Sequence, residues 1–458
     1  MAFQRMLFQL LTVVFLGMTL ATTSVAQTFT DFFDFNGTNG GGTHYAVLAQ
    51  GRDGQLYGTT AGGGANNLGV VFRINTAGVE SVLYNFDGTH GWAPTGGLTL
   101  ASDGNFYGTT QVGGSNGLGV LFRITPSGTL TVLYNFGNGG NDEYPDTPPI
   151  QASDGNFYGT TQGDQYGEVY KYAKDGTFTV LHAFVGTDGQ SVIAPLIQAA
   201  DGNLYGTTDE GGTYGWGTVF KMNTLGTITA QYSFDSPTTG GYLAWPVIQA
   251  SDGNFYSTTS LYASNGYTGS VFRLSPEFAY TLLYTAPDNS TQVSELYSGV
   301  VQATDRNLYG VGQAGGANQY GGIYQLGLDG TSSVVYSFSI YTLLGAGMMQ
   351  HTNGKLYGSV NYAANSGGGY LYSLDMGLRP FITFVQPTGK VGQAAQILGQ
   401  HLTGATSVTF HGVAATSFSV VRDAYLTAVV PAGAPTGRVV VTTPSGVRSS
   451  NVNFRIIQ

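Results

Sequence analysis

The sequence predicts an all-β chain: a seven-bladed β-propeller closed by its own N-terminal strand, followed by a small β-sandwich. The first reason is a repeat. The pentapeptide Asp-Gly-x-[Leu/Phe]-Tyr stands at Asp53–Tyr57, Asp103–Tyr107, Asp154–Tyr158, Asp201–Tyr205 and Asp252–Tyr256, with degenerate copies at Asp305–Tyr309 and Asn353–Tyr357. The seven tyrosines lie 50, 51, 47, 51, 53 and 48 residues apart. A period near 50 with four short strands per unit marks a propeller blade, which buries its faces only against neighbours. The second reason is composition: 71 Gly, 30 Tyr and 26 Phe against 9 % charged residues suit many short strands joined by tight turns. The third is an orphan strand at the N-terminus, taken up below.

Residues 1–26 read as a signal peptide. Arg5 supplies the positive end, Leu7 to Leu20 the apolar run, and Ser24-Val25-Ala26 the small-residue cleavage site, so the mature chain is expected to start at Gln27. Thr12, Gly17 and Thr19 interrupt the apolar run, which is short for a membrane span. A secreted, extracellular protein is therefore expected, with a periplasmic or surface-associated one as the alternative, and no insertion into a membrane. The chain has no cysteine, which excludes disulfides, thiolate metal sites and a cysteine nucleophile. Its formal net charge of −10 argues against nucleic acid as a partner.

Residues 27–378 carry the repeats. In the second, Gly97 to Leu100 reads as the inner strand and Asp103-Gly104 as a tight turn. Asn105 to Thr110 makes the second strand and Gly119 to Ile124 the third. Thr125-Pro126-Ser127-Gly128 turns the chain into the outer strand, Leu130 to Phe136. The seventh repeat has no outer strand after Tyr370 to Leu374. The matching piece, Phe29 to Phe35, stands alone at the other end of the chain. Pairing the two closes the ring and hides an exposed edge. From 379 to 458 the composition changes, and alternating short strands with Gly turns predict the sandwich.

The recurrent Asp-Gly-Asn-[Leu/Phe]-Tyr-Gly-Thr-Thr, followed by Gly-Gly and Gly-x-Val-[Phe/Tyr]-[Arg/Lys], resembles the GloVer tandem-repeat family of secreted bacterial proteins, from residue 28 to about 378. The diglycines, such as Gly113-Gly114, are also similar to kelch repeats, but the tryptophan of a kelch outer strand is absent. The GloVer resemblance implies an exported, modular repeat protein and no particular reaction. The final 80 residues, with Ile382–Gln393, Val408–Val413 and Gly437–Thr443, are similar to the IPT/TIG immunoglobulin-like module. That resemblance implies a spacer or docking unit.

Several residue sets are candidates for function. The seven repeat tyrosines are expected to pack between blades. Arg73, Arg123, Lys171, Lys221 and Arg273 share one third-strand position and are expected to pair with the turn aspartates. Gln50, Gln151, Gln198, Gln249, Gln302 and Gln350, with Leu100 at the remaining copy, form a ring of amides near the channel. They either satisfy backbone groups or hold a ligand. No histidine pair has metal-ligand spacing, no nucleophile elbow or phosphate loop occurs, and one carboxylate per Asp-Gly turn is too few for calcium. Neither a metal nor a cofactor is expected.

Strand alternation sends all long connections to one face and all tight turns to the other. The long-loop face is expected to carry His90, Trp92, Tyr144, Asp209, Glu210, Tyr214, Trp216, Tyr242 and Trp245, with further loop acids that include Asp146 and Asp164 and the aromatics Tyr262, Tyr267, Tyr297 and Tyr320. Flat aromatic faces beside carboxylates are what a sugar-binding surface needs. The expectation is a non-catalytic binding or adhesion protein that recognises a polysaccharide or another surface polymer or surface protein. The alternative is a glycan lyase or hydrolase using acids of the same face.

Overall fold

The computed structural model describes residues 27–43, 46–137, 142–163, 166–236, 238–243, 245–260, 268–287, 291–296, 298–340, 342–344, 347–363 and 368–457. The expected signal peptide, Asp164, Tyr262, Tyr267 and Tyr297 lie outside them. The described residues are all β and turn, with no helix, so none is long and apolar enough to cross a membrane.

Seven antiparallel sheets repeat one plan, with strands a to d paired in chain order. In sheet 1 these are Ala49–Gln50, Leu56–Thr60, Val70–Ile74 and Glu80–Asn85. Strands a of sheets 1 and 2 touch, which places them innermost. Strand b is buried along its whole length, for instance Phe106–Thr110, while strand d, the outer edge, is half-exposed. Sheet 7 takes its a, b and c strands from Met349–Gln350, Leu356–Ala363 and Tyr370–Asp375, and its d strand is Thr28–Asp34. The pairing runs antiparallel from Thr28 opposite Asp375 to Asp34 opposite Tyr370, with a bulge between Asp31 and Phe33.

The repeated pentapeptide has a direct physical cause. Gly54 takes φ 77°, which a side chain disfavours, so the a–b turn selects glycine. The Asp53 carboxylate accepts from the Gln55 amide (3.2 Å) and from the Tyr57 hydroxyl (2.9 Å). The same tyrosine-to-aspartate bond recurs at Tyr107, Tyr158, Tyr205, Tyr256 and Tyr309, at 2.7–3.1 Å. Each ring then packs against the next sheet: Tyr57 stacks on Phe106 at 4.1 Å and Tyr107 on Phe157 at 4.0 Å. The glycine after the tyrosine is needed for close approach, because a Cβ on Gly108 would stand 2.6 Å from the Phe122 ring.

The basic rank departs from expectation. Of the five residues, Lys221 alone forms an ion pair with a turn aspartate among the described residues, Asp201 at 2.9 Å. Arg73, Arg123 and Arg273 stand instead beside the hydroxyls of Tyr57, Tyr107 and Tyr256, which already occupy the carboxylates.

The six glutamines of strand a bridge neighbouring sheets. Gln151 Oε1 accepts from the Ser102 amide (2.8 Å) of sheet 2, while its Nε2 donates to Gly155 of its own turn (3.2 Å). Gln198, Gln249, Gln302 and Gln350 do the same. Gln50 reaches Thr352 of sheet 7, accepting from its amide at 3.0 Å and donating to its hydroxyl at 2.8 Å. These amides are thus spent on backbone and turn groups, the structural one of the two roles open to them. Leu100 makes no such bridge, and Arg52 crosses that seam instead, donating to Ser102 O at 2.7 Å.

The C-terminal segment forms two four-stranded sheets. Phe384, Ile397 and Leu426 of one share an apolar core with Val408, Phe410, Val439 and Val441 of the other. This segment is docked on the tight-turn face. Arg52 donates to Gln396 Oε1 (2.7 Å) and lies 4.7 Å from the centre of the Tyr425 ring. Gln396 donates to Ser102 O (2.9 Å), Gln386 to Gln151 O (2.8 Å), Gln400 to the Thr352 hydroxyl (3.2 Å) and Arg455 to Ala200 O (2.7 Å). The contacts reach the inner turns of sheets 1, 2, 3, 4 and 7, so the segment lies across that mouth of the ring.

Candidate functional site

With the tight-turn mouth covered, the open mouth is the one bounded by the b–c loops and the d–a connections. The Thr-Thr that ends strand b organises both. The first hydroxyl donates to the connection that leads to the next sheet: Thr109 to Thr147 O (2.9 Å), Thr207 to Trp245 O (3.0 Å) and Thr258 to Ser298 O (2.9 Å). The second ties back its own loop: Thr60 to Gly62 O (2.8 Å), Thr110 to Val112 O (3.0 Å) and Thr208 to Glu210 O (2.9 Å).

The residue after this pair, or after Val311-Gly312 in sheet 6, then faces the mouth. Its amide donates to a residue in the incoming connection: Gln111 to Ala93, Gln162 to Tyr144, Asp209 to Ser191, Ser260 to Tyr242 and Gln313 to Glu295, at 3.0–3.2 Å. Each acceptor residue is left-handed, with φ between 52° and 61°. The positions are therefore fixed by backbone geometry while their side chains vary. A rigid frame with free choice of side chain is a good place for function.

Ala61, Gln111 and Gln162 of this set line a cavity of about 490 Å³ together with Gly41, Gly62, Ala93, Thr95 and Asp146. Asp146 is 5 % exposed. Its carboxylate accepts from Gln162 Nε2, and Thr95 Oγ1 lies 3.5 Å from Oδ1 and donates to the Asp146 carbonyl at 3.2 Å. Burial pushes this carboxyl up to about 6, against hydrogen bonds from Gln111 and Thr95. Asp209 is also pushed up to about 6, by burial and then by Glu210. Burial likewise raises Glu295. A second hollow, about 770 Å³, lies at the outer seam between Phe29, Asp31, Asp34, Tyr336 and Tyr370, away from the converging loops.

The residues singled out in the sequence fall around this mouth but do not form one cluster. Trp92 is 46 % exposed, and its backbone pairs with Val112. His90 is exposed and pairs with Asp87 at 2.8 Å. Tyr144 is half-buried beside Asp146 in the chain, and Glu210 is held to Gln190 through its backbone. Tyr214 is 60 % exposed, while Trp216 meets Tyr242 edge-on at 5.3 Å. Trp245 is turned inward and only 7 % exposed, so it offers no face to a ligand. Its connection runs toward the axis, where Thr207 and Ser257 bond its carbonyl. Sequence reasoning missed Gln111 and Gln162, although a variable residue after a Thr-Thr that recurs in five repeats was their signal.

Fold and site define a β-propeller-like, all-β repeat protein with a polar cavity at the loop end. The repeat model described as the Gloeobacter/Verrucomicrobia repeat matches residues 16–165 and 145–372, and the chain belongs to that family. A comparison with curated proteins gives no match. Among solved structures, PorZ, a surface component of the type-IX secretion system of Porphyromonas gingivalis, is similar at 14 % identity and TM-score 0.48. The match covers 93 % of this chain and 60 % of PorZ. A candidate 6-phosphogluconolactonase of Bacteroides uniformis is similar at 14 % identity and TM-score 0.47, over 69 % of this chain and 94 % of that one. A gluconolactonase of Xanthomonas campestris is similar at 13 % identity and TM-score 0.35, over 60 % and 83 %.

Proposed function

We propose that the chain is a secreted or surface-associated binding protein: a seven-bladed propeller over residues 27–378 with an immunoglobulin-like IPT/TIG module over 379–458. In this reading it recognises a carbohydrate polymer, without catalysis, at the long-loop mouth. The observation that carries the reading is the cavity at that mouth, where amide, hydroxyl and carboxylate groups stand on a rigid repeated frame. Such groups can share hydrogen bonds with sugar hydroxyls, and Trp92 offers an exposed flat face at the rim.

The test is a polysaccharide panel followed by Trp92→Ala. Loss of about 1–3 kcal/mol of binding with an unchanged fold supports the site, that being an aromatic anchor's usual share. Ser127→Ala, in an exposed turn on the opposite face, should bind as wild type does. New reducing or unsaturated chain ends would instead favour a lyase or hydrolase, with Asp146 as the buried carboxyl to suspect first.

A further inference from the structure

The mouth is acidic without compensation. Asp209 follows strand b of its sheet, Glu295 is one of the left-handed acceptors in the connections and Asp146 lies two residues after another, and burial raises all three. None of them forms an ion pair among the described residues. The groups that act on Asp146 are the neutral side chains of Thr95, Gln111 and Gln162. Gly41, Ala61, Gly62 and Ala93 complete the cavity wall with backbone and methyl groups. Most buried carboxylates are matched by a cation, because an isolated charge taken from water is costly. Here the space beside the carboxylate is open rather than filled by Lys or Arg.

We infer that the missing cation belongs to the ligand, and that the cavity selects an amine-bearing saccharide over neutral, uronate or sulfated ones. This rests on the carbohydrate reading above and narrows it. An ammonium group on the sugar would meet the Asp146 carboxylate, with the Gln111 and Gln162 amides, already bonded to that carboxylate, offering their remaining donors and acceptors to ring hydroxyls. Asp209 and Glu295 extend the negative potential around the rim, and the chain's net charge of −10 reinforces it.

The probe is kanamycin, an amino-sugar oligosaccharide whose amines are largely charged at neutral and acid pH, against its fully N-acetylated form. Calorimetry at pH 7.5 should show the amine form binding roughly 10- to 100-fold tighter, the range for a hydrogen bond to a charged group. Asp146→Asn keeps an acceptor oxygen and should reduce the amine form to the level of the acetylated one. Asp209→Asn, further along the rim, should weaken it less. As pH falls through about 6 the Asp146 carboxyl takes up a proton, so the wild-type preference should fall toward that of Asp146→Asn. Equal binding of the two forms, or a preference that survives Asp146→Asn, overturns the inference. If neutral glycans bind and Trp92→Ala weakens them while no amine preference exists, this inference fails and the carbohydrate reading stands. If no saccharide binds at all, both fail.

Discussion

Replacing Phe35 with alanine measures whether the N-terminal strand closes the ring as firmly as an internal strand would. Phe35 is 1 % exposed and meets Phe72 of sheet 1 at 5.4 Å, with its rings 67° apart. Its amide donates to Gly369 O at 3.0 Å. Phe86 repeats the arrangement between sheets 1 and 2: 0 % exposed, 5.5 Å from Phe122 at 65°, with its amide on Gly69 O at 3.1 Å. Burying a phenylalanine side chain is worth about 1.5–3 kcal/mol, and the cavity left by truncation brings the loss to about 3–5 kcal/mol. Because the two surroundings match, Phe35→Ala and Phe86→Ala should cost the same within about 1 kcal/mol. Leu225→Ala, at a residue 81 % exposed, should cost under about 0.5 kcal/mol. Urea unfolding followed by tryptophan fluorescence, with a shared slope, gives the comparison. If Phe86→Ala loses several kcal/mol while Phe35→Ala unfolds with the wild type, the first strand is an appendage and the argument for closure is wrong.

Three further outcomes are expected. Asp209 is held at about 6 in the folded chain, above its unfolded value, so its stabilising contribution is complete below about pH 4 and is lost as pH rises through 6. Asp209→Asn should therefore be more stable than wild type by about 1–3 kcal/mol at pH 7.5 and no more stable at pH 4, and urea midpoints that order the other way would contradict it. Asp201 has the opposite sign: burial works to raise it, but hydrogen bonds from Asn203 and Lys221 hold it at about 2, so its contribution is present above pH 4 and fades as pH falls toward 2. Lys221→Met should move acid unfolding to slightly higher pH, an effect under about 1 kcal/mol for so exposed a pair, and circular dichroism across pH 2–5 would detect its absence. Arg52→Ala removes two hydrogen bonds and the Tyr425 contact, so proteolysis between Asp375 and Phe381 should accelerate roughly 10-fold; an unchanged cleavage rate would mean that the C-terminal segment is held by its other contacts alone.

The ladder of sheets was legible because one turn must satisfy the same groups seven times, and Asp, Gly and Tyr each answer a separate demand of it. The partner of Thr28–Asp34 was legible as an absence, since the strand after Tyr370–Asp375 was missing. Contacts made only once left no such trace. Arg52, Gln396 and Tyr425 join the C-terminal segment to the turns through residues that no repeat position marks. Gln111 and Gln162 were not singled out, because their exposure to a cavity depends on backbone bonds to a preceding connection. Trp245 was read as a rim residue because its connection is long, whereas the fold turns it inward. The aspartate-to-arginine pairs were overestimated because the tyrosine hydroxyl is closer to the carboxylate than the sequence alone suggests.

The segment lying across the tight-turn mouth decides how a long molecule could approach. A propeller open at both ends can let a strand pass along its axis, whereas this one is a cup with a floor. Gln386, Gln396, Gln400 and Arg455 reach turns of sheets 3, 2, 7 and 4, so the floor is held by direct contacts along that arc and not hung only from the short run between Asp375 and Phe381. On the carbohydrate reading proposed above, a polymer entering the open mouth would meet that segment at the far end, and an uninterrupted backbone would rest on the brim near Trp92. On that reading a chain end or a side branch would be the part that reaches Asp146. Affinity for such a polymer would scale with the number of its termini, not with its length.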